Sequence, residues 1–136
     1  MRSSYDVYTN NPMSVTHPIR TLLVDDSPFM LAAIEQSLSP TYFEVVGKAS
    51  GGEHALTLLR STAPELVLLD NIMPDMLGLE VFRKMKAIDP SVKAIMLSAI
   101  GQQAIKDQGI QLGLLGYLTK PFEAEELEKA ILDLVR

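Results

Sequence analysis

The sequence predicts an α/β fold: a doubly wound, five-stranded parallel sheet in (βα)5 order. Three observations predict it. Five short apolar runs, at residues 21–25, 43–48, 65–70, 93–98 and 115–119, recur along the chain, and three are almost continuously apolar. Strands covered on both faces read in this way. Amphipathic stretches with helical spacing separate the runs, and glycine or proline stands at the joints: Pro40, Gly51-Gly52, Pro64, Pro74, Gly78, Pro90, Gly101, Gly116 and Pro121. Parallel neighbours need crossover connections, which are right-handed and put helices on both faces.

Each element has its own signal. Residues 1–18 hold Ser3, Ser4, Thr9, Asn10, Asn11, Pro12 and Pro18 without a regular period, so a flexible N-terminal tail is expected before a domain spanning 19–136. The first run ends in Asp25-Asp26, and Ser27 then stands as an N-cap with Pro28 at the first helical position. Met30, Ile34 and Leu38 share a face of the first helix. Ala55, Leu58 and Leu59 do so in the second, and Leu79, Phe82 and Met85 in the third. Ile105, Gly109 and Leu112 mark a fourth helix softened by glycine, and Leu127, Ala130, Ile131 and Leu134 a fifth.

Composition removes several function classes. The chain has 136 residues, enough for one domain with a sizeable core, and carries a net charge of −5 with pI near 4.9. That balance argues against direct nucleic-acid binding, which needs a basic surface. Cysteine is absent, which excludes disulfides, zinc knuckles, thiol catalysis and iron–sulfur clusters, and two histidines cannot build a multi-histidine metal site. The longest strictly apolar run, residues 29–34, is far too short for a membrane span. No basic-then-apolar leader opens the sequence, so a cytoplasmic protein without membrane contact is expected.

In open parallel sheets chemistry gathers at the carboxyl ends of the strands. Here the first run ends in Asp25-Asp26, the third in Asp70, the fourth in Ser98 and the fifth in Thr119-Lys120. Three converging carboxylates repel one another unless a cation compensates. A hard divalent ion with oxygen ligands suits them, and Mg2+ fits best because it takes one or two carboxylates and keeps several waters. Metal, ammonium and hydroxyl around a carboxylate make a site for a phosphoryl group.

The same residues carry a resemblance. Leu22-Leu23-Val24-Asp25-Asp26-Ser27, then Leu68-Leu69-Asp70-Asn71-Ile72-Met73-Pro74-Asp75-Met76-Leu77-Gly78, Met96-Leu97-Ser98-Ala99 and Gly116-Tyr117-Leu118-Thr119-Lys120-Pro121-Phe122 stand in order. Together they resemble the receiver domain of two-component response regulators, of the chemotaxis-type single-domain kind, over everything but the tail. The resemblance implies a flavodoxin-like receiver fold. It implies that Asp70 accepts a phosphoryl group from the phosphohistidine of a histidine kinase or phosphotransfer protein. Asp26, Asp70 and the backbone carbonyl of Ile72 would bind Mg2+ directly, and Asp25 through water. Lys120, preceding a cis peptide to Pro121, would pair with Asp70 and then with the phosphoryl oxygens. Ser98 would move to hydrogen-bond one of those oxygens, and Tyr117 would be the rotating switch aromatic. The kinase would dock largely on residues 28–38. An output protein or dimer partner would read residues 105–112, Tyr117 and residues 123–135. The protein would turn over no external metabolite, beyond its own phosphorylation and dephosphorylation.

Plainer readings stand beside these. Asp70 also suits a strand-ending turn, Lys120 a solvated loop lysine, Ser98 a tolerated strand serine and Tyr117 ordinary core. A hydrolase role for Ser98 fails, because no Gly-x-Ser-x-Gly elbow surrounds it. His17 and His54 read as surface residues, and the methionines as core filler. Leu77 stands where the family commonly carries a polar residue, exposing an apolar side chain near the site. Ile72 and Ile100, two residues beyond Asp70 and Ser98, leave no side chain to position an attacking water, so slow self-dephosphorylation is expected. Three alternatives remain open: a pseudo-receiver without phosphotransfer, a flavodoxin-like cofactor binder, and a receiver excised from a DNA-binding transcriptional regulator. The second is disfavoured by Asp25-Asp26, which would repel a phosphate. The third is prompted by Glu44-Val45-Val46-Gly47 followed by Gly51-Gly52-Glu53.

Overall fold

The structure, a computed structural model, describes residues 17–98 and 103–135. Five strands alternate with five helices: β1 (Ile19–Val24), α1 (Pro28–Ser37), β2 (Phe43–Ala49), α2 (Gly52–Thr62), β3 (Leu66–Asp70), α3 (Gly78–Ile88), β4 (Lys93–Ser98), α4 (Gln103–Leu112), β5 (Gly116–Thr119) and α5 (Ala124–Val135). All strand pairings are parallel, as the alternation of runs predicts, and the strands stand in the order β2-β1-β3-β4-β5.

Strand geometry sends successive side chains to opposite faces, and two cores result. Leu22, Val24, Val67, Leu69, Ala94 and Met96 pack under α2 and α3, with Ile105 and Leu112 of α4 against them. The alternate residues Leu23, Leu66, Leu68, Ile95 and Leu97 pack under α1 and α5. Both faces are therefore apolar, which is why the strands read as unbroken runs.

Boundaries depart slightly from the sequence reading. β1 begins at Ile19 rather than Thr21, because Ile19 pairs with Phe43 and donates its N–H to Tyr42 at 2.8 Å. Asp25 lies just past the strand, Glu65 precedes β3, Leu115 precedes β5, and Ala49 extends β2. Between Thr21 and Leu22 the register against β2 shifts, skipping Val46 as a bulge.

Helix faces also shift. In α1 Leu31 and Ile34 are buried, whereas Met30 is half-buried. In α2 Leu56 joins Ala55 and Leu59 inside, and Leu58 is half-buried over Gly47. α3 buries Leu79, Phe82 and Met85 as its period requires, together with Val81. Gly109 is the buried residue of α4, and α5 buries Leu127, Ile131 and Leu132 rather than Ala130 and Leu134. Met73, Met76, Met85 and Met96 are core, and His17 and His54 are exposed. Most of the expected tail, residues 1–16, and Ile100 lie outside the described residues.

Candidate functional site

The carboxyl edge of the sheet is assembled by three strand ends. β1 delivers Asp25 and Asp26 before Ser27, whose hydroxyl accepts the Met30 N–H at 3.1 Å and starts α1 with Pro28 in its first turn. Asp25 is buried; its Oδ1 accepts the Ser27 N–H at 2.9 Å, and its Oδ2 lies 3.3 Å from the Lys120 ammonium. Asp26, one residue on, is exposed. Asp70 ends β3, also buried, with Oδ1 2.9 Å from Lys120 Nζ. Lys120 follows β5, and its peptide to Pro121 is cis.

The electrostatics follow from this crowding. Burial pushes the Asp70 carboxyl up, the Lys120 hydrogen bond pulls it back, and the charges of Asp25 and Asp26 push it up again. The net position is above the ordinary carboxylate value. Burial disfavours the Lys120 ammonium, but its hydrogen bonds to Asp70 and Asp25 and their charges outweigh that and hold it above the ordinary lysine value. One ammonium thus faces three acids. Carboxylate oxygens of Asp25, Asp26 and Asp70 all lie within 4.8 Å of one another. An all-oxygen set of this charge, with Asp26 open to solvent, fits a hard divalent cation such as Mg2+.

Ser98 closes β4 beside this cluster. It is buried, and its Oγ has no hydrogen-bond partner among the described residues. Buried hydroxyls are rarely left so. Tyr117, on β5, is half-buried and turned onto α4: its hydroxyl meets the carbonyls of Ile105, at 2.9 Å, and Lys106.

The loop after Asp70 is held tightly. The Asn71 N–H donates to Leu97 and its carbonyl accepts from Gly78 at 2.7 Å, while Ile72 and Leu77 form an antiparallel bridge. Gly78 is required here, because a Cβ would sit 2.6 Å from the Asp70 carbonyl oxygen. Ile72 and Leu77 both present their side chains to solvent, as does Phe29 in the first turn of α1. A cavity of about 480 Å3 opens beside Lys120 between α1 and the start of α5, walled by Met30, Ala33, Gln36, Pro121 and Phe122.

The sequence reading missed Asp75. Its carboxylate accepts the N–H groups of Gly52 at 2.9 Å and Glu53 at 3.1 Å, capping α2 from a loop more than twenty residues away. The cap residue Gly51 has no side chain for this task. Glycine rather than Ser, Thr, Asp or Asn at the N-cap position of α2 was the available signal.

Five parallel strands wound on both sides by helices, with three acids and a lysine gathered at their carboxyl edge, define a doubly wound α/β domain with an acidic pocket. A family model described as response regulator receiver domain matches residues 21–132. The chemotaxis protein CheY of Bacillus subtilis is 38% identical over 112 residues, 82% of this chain and 93% of that protein. The receiver domain of the putative response regulator NarL from Mycobacterium tuberculosis superposes with a TM-score of 0.79 at 32% identity, covering 86% of this chain and 95% of that one. A Borrelia burgdorferi CheY structure, from a complex with CheX, BeF3 and Mg, superposes at 0.82 with 22% identity, covering 98% and 96%. The chain belongs to the response regulator receiver family, the receiving side of two-component signalling. Among the described residues no helix is long and apolar enough to cross a membrane.

Proposed function

We propose that the protein is a Mg2+-dependent phospho-acceptor whose output is a change of binding partner, with Asp70 as the acceptor. The observation that carries this reading is the Asp70–Lys120 pair at 2.9 Å inside a cluster of three carboxylates at the strand ends. Asp26, Asp70 and the Ile72 carbonyl would hold the ion directly and Asp25 through water. Asp25 suits the indirect part, since both its oxygens already have partners. Bound there, Mg2+ supplies positive charge against the acids and the phosphoryl oxygens. The donor is the phosphohistidine of a histidine kinase or phosphotransfer protein. An Asp70 oxygen forms the new O–P bond as the N–P bond breaks, and the imidazole nitrogen leaves with the bonding pair and takes a proton from water.

Lys120 orients the Asp70 carboxylate before transfer and neutralises a phosphoryl oxygen after it. The Ser98 hydroxyl, without a partner among the described residues, donates to another. Phosphorylation adds charge and acceptor oxygens at one point, and Ser98 with Tyr117 relays that change to α4, β5 and α5, where an output protein or a second copy binds. The exposed Phe29 and the groove along α1 suit the kinase or phosphotransfer protein. The setting is cytoplasmic. Ile72, exposed and apolar, positions no water for attack, so the phosphoryl group decays slowly. Substituting Ile72→Asn shortens the lifetime of purified phosphoprotein; an unchanged lifetime removes that point.

Intact mass after incubation with Mg2+ and acetyl phosphate tests the central reading. One phosphoryl group is gained by the native chain, and none with EDTA or in Asp70→Asn. No gain, together with no Mg2+ binding, makes the protein a phosphorylation-independent pseudo-receiver. A second reading, the receiver unit of a DNA-binding regulator, has the 32% identity to the NarL receiver behind it. Sequencing the transcript past the codon for Arg136 separates the two.

A further inference from the structure

The fourth helix has a defect where Tyr117 meets it. Gly109 lies within α4, with helix on both sides, and it is buried. Glycine in a helix interior weakens it relative to alanine, because it loses more backbone freedom on folding. No turn or left-handed backbone excuses it here: the positive-φ glycine of this region is Gly113, beyond the helix. The reason lies across the interface. A Cβ on residue 109 would fall deep inside van der Waals contact with the Tyr117 hydroxyl oxygen, and would reach the Tyr117 Cζ at 3.2 Å.

The tyrosine hydroxyl therefore occupies the space a side chain at position 109 would fill. From there it reaches the Ile105 and Lys106 carbonyls, one turn back along the helix. The Lys106 ammonium stands 5.9 Å from the ring centroid on the same helix, within cation–π range. Leu114 Cδ1 would also collide with the added Cβ. It is the end of a flexible side chain and can turn aside, whereas the Tyr117 ring is rigid and hydrogen-bonded. None of these partners belongs to the acidic pocket.

We propose that Gly109 is a seat built into α4 for the Tyr117 hydroxyl, and that it makes the docked tyrosine the resting position of this receiver before any phosphorylation. The inference deepens the reading of Tyr117 as switch aromatic and rests on it. The seat sets where the switch starts: the hydroxyl end of the half-buried ring already lies against α4 when Asp70 is unmodified.

The test is ring NMR of 13C-tyrosine-labelled full chain, with the Tyr117 signal assigned by Tyr117→Phe. Gly109→Ala is expected to move the Tyr117 ring resonances to those of a solvent-exposed tyrosine. It is also expected to lower the urea midpoint, the reverse of what glycine-to-alanine does in an ordinary helix interior. Placed on a Tyr117→Ala background, the same substitution is expected to raise the midpoint. Unmoved ring resonances in Gly109→Ala overturn the seat. If Gly109→Ala alone does not fold, recovery of folding in the double variant supports it and failure there overturns it. Acetyl phosphate with Mg2+ on the native chain tests the underlying reading separately. A Tyr117 signal blind to phosphorylation strikes the switch, whereas the Gly109 variants decide the seat.

Discussion

The two ends of the sheet handle charge in opposite ways. At the amino edge Glu65 accepts the Arg20 N–H at 2.9 Å and lies 3.4 Å from His17, and Arg20 donates to the Ala63 carbonyl at 2.7 Å. That last bond closes the left-handed end of α2. Charges there are exposed, mixed in sign and locally satisfied. At the carboxyl edge the two buried acids Asp25 and Asp70 share the Lys120 ammonium with exposed Asp26 beside them, and the Ser98 hydroxyl has no hydrogen-bond partner among the described residues. One edge is arranged for folding. The other gathers like charges around a buried hydroxyl, chemistry that a cation and a phosphoryl group would suit.

The largest expected effect sharpens this contrast by adding a divalent cation. At a concentration one hundred times its dissociation constant, Mg2+ stabilises the native protein by about 2.7 kcal/mol through mass action, read as a rise in the urea midpoint. Asp26→Asn diminishes the gain, and Glu65→Ala leaves it intact. Equal loss in both variants would break the distinction between the edges.

A second prediction has opposite signs at the two ends. The folded Asp70 pKa is raised, so its contribution to stability is complete below the ordinary value of 3.8 and is lost as pH rises through the folded value. At pH 7 without metal its charge is a cost, and Asp70→Asn raises stability by about 1 kcal/mol. Glu65→Ala, which strips a backbone N–H of its acceptor, lowers stability. Chemical denaturation of both variants in EDTA decides the matter.

The smallest effect concerns the tie between loop and helix. The Gly52 and Glu53 N–H groups hold the Asp75 carboxyl below the ordinary carboxylate value, so its contribution is present above 3.8 and lost as pH falls through the depressed folded value. Thermal scans from neutral to acid pH should show the native chain losing slightly more than Asp75→Asn over that window. Parallel curves would assign the capping bonds no energetic role.

Much of this was legible because parallel strands are written as local runs and their ends mark the site. Asp25, Asp26, Asp70, Ser98 and Lys120 each follow or close such a run, so reading the runs was reading the pocket. Ser27 and Pro28 announced α1 in the same local way. What stayed hidden depends on distant partners. Asp75 caps a helix that precedes it by more than twenty residues, and in α2 Leu56 is buried while Leu58 lies against Gly47 of β2. Gly109 read as a weakness of α4 because its reason sits on β5.

The bulge between β1 and β2 has a consequence for molecules meeting one another. β2 is an outer strand, and an unpaired strand border is a template on which another chain can add itself. Skipping Val46 bends that border out of flat register, and Glu44 and Lys48 stand exposed along it. The opposite border, β5, is four residues long. Neither offers a long, flat, uncharged ledge on which a strand of a second copy could add itself.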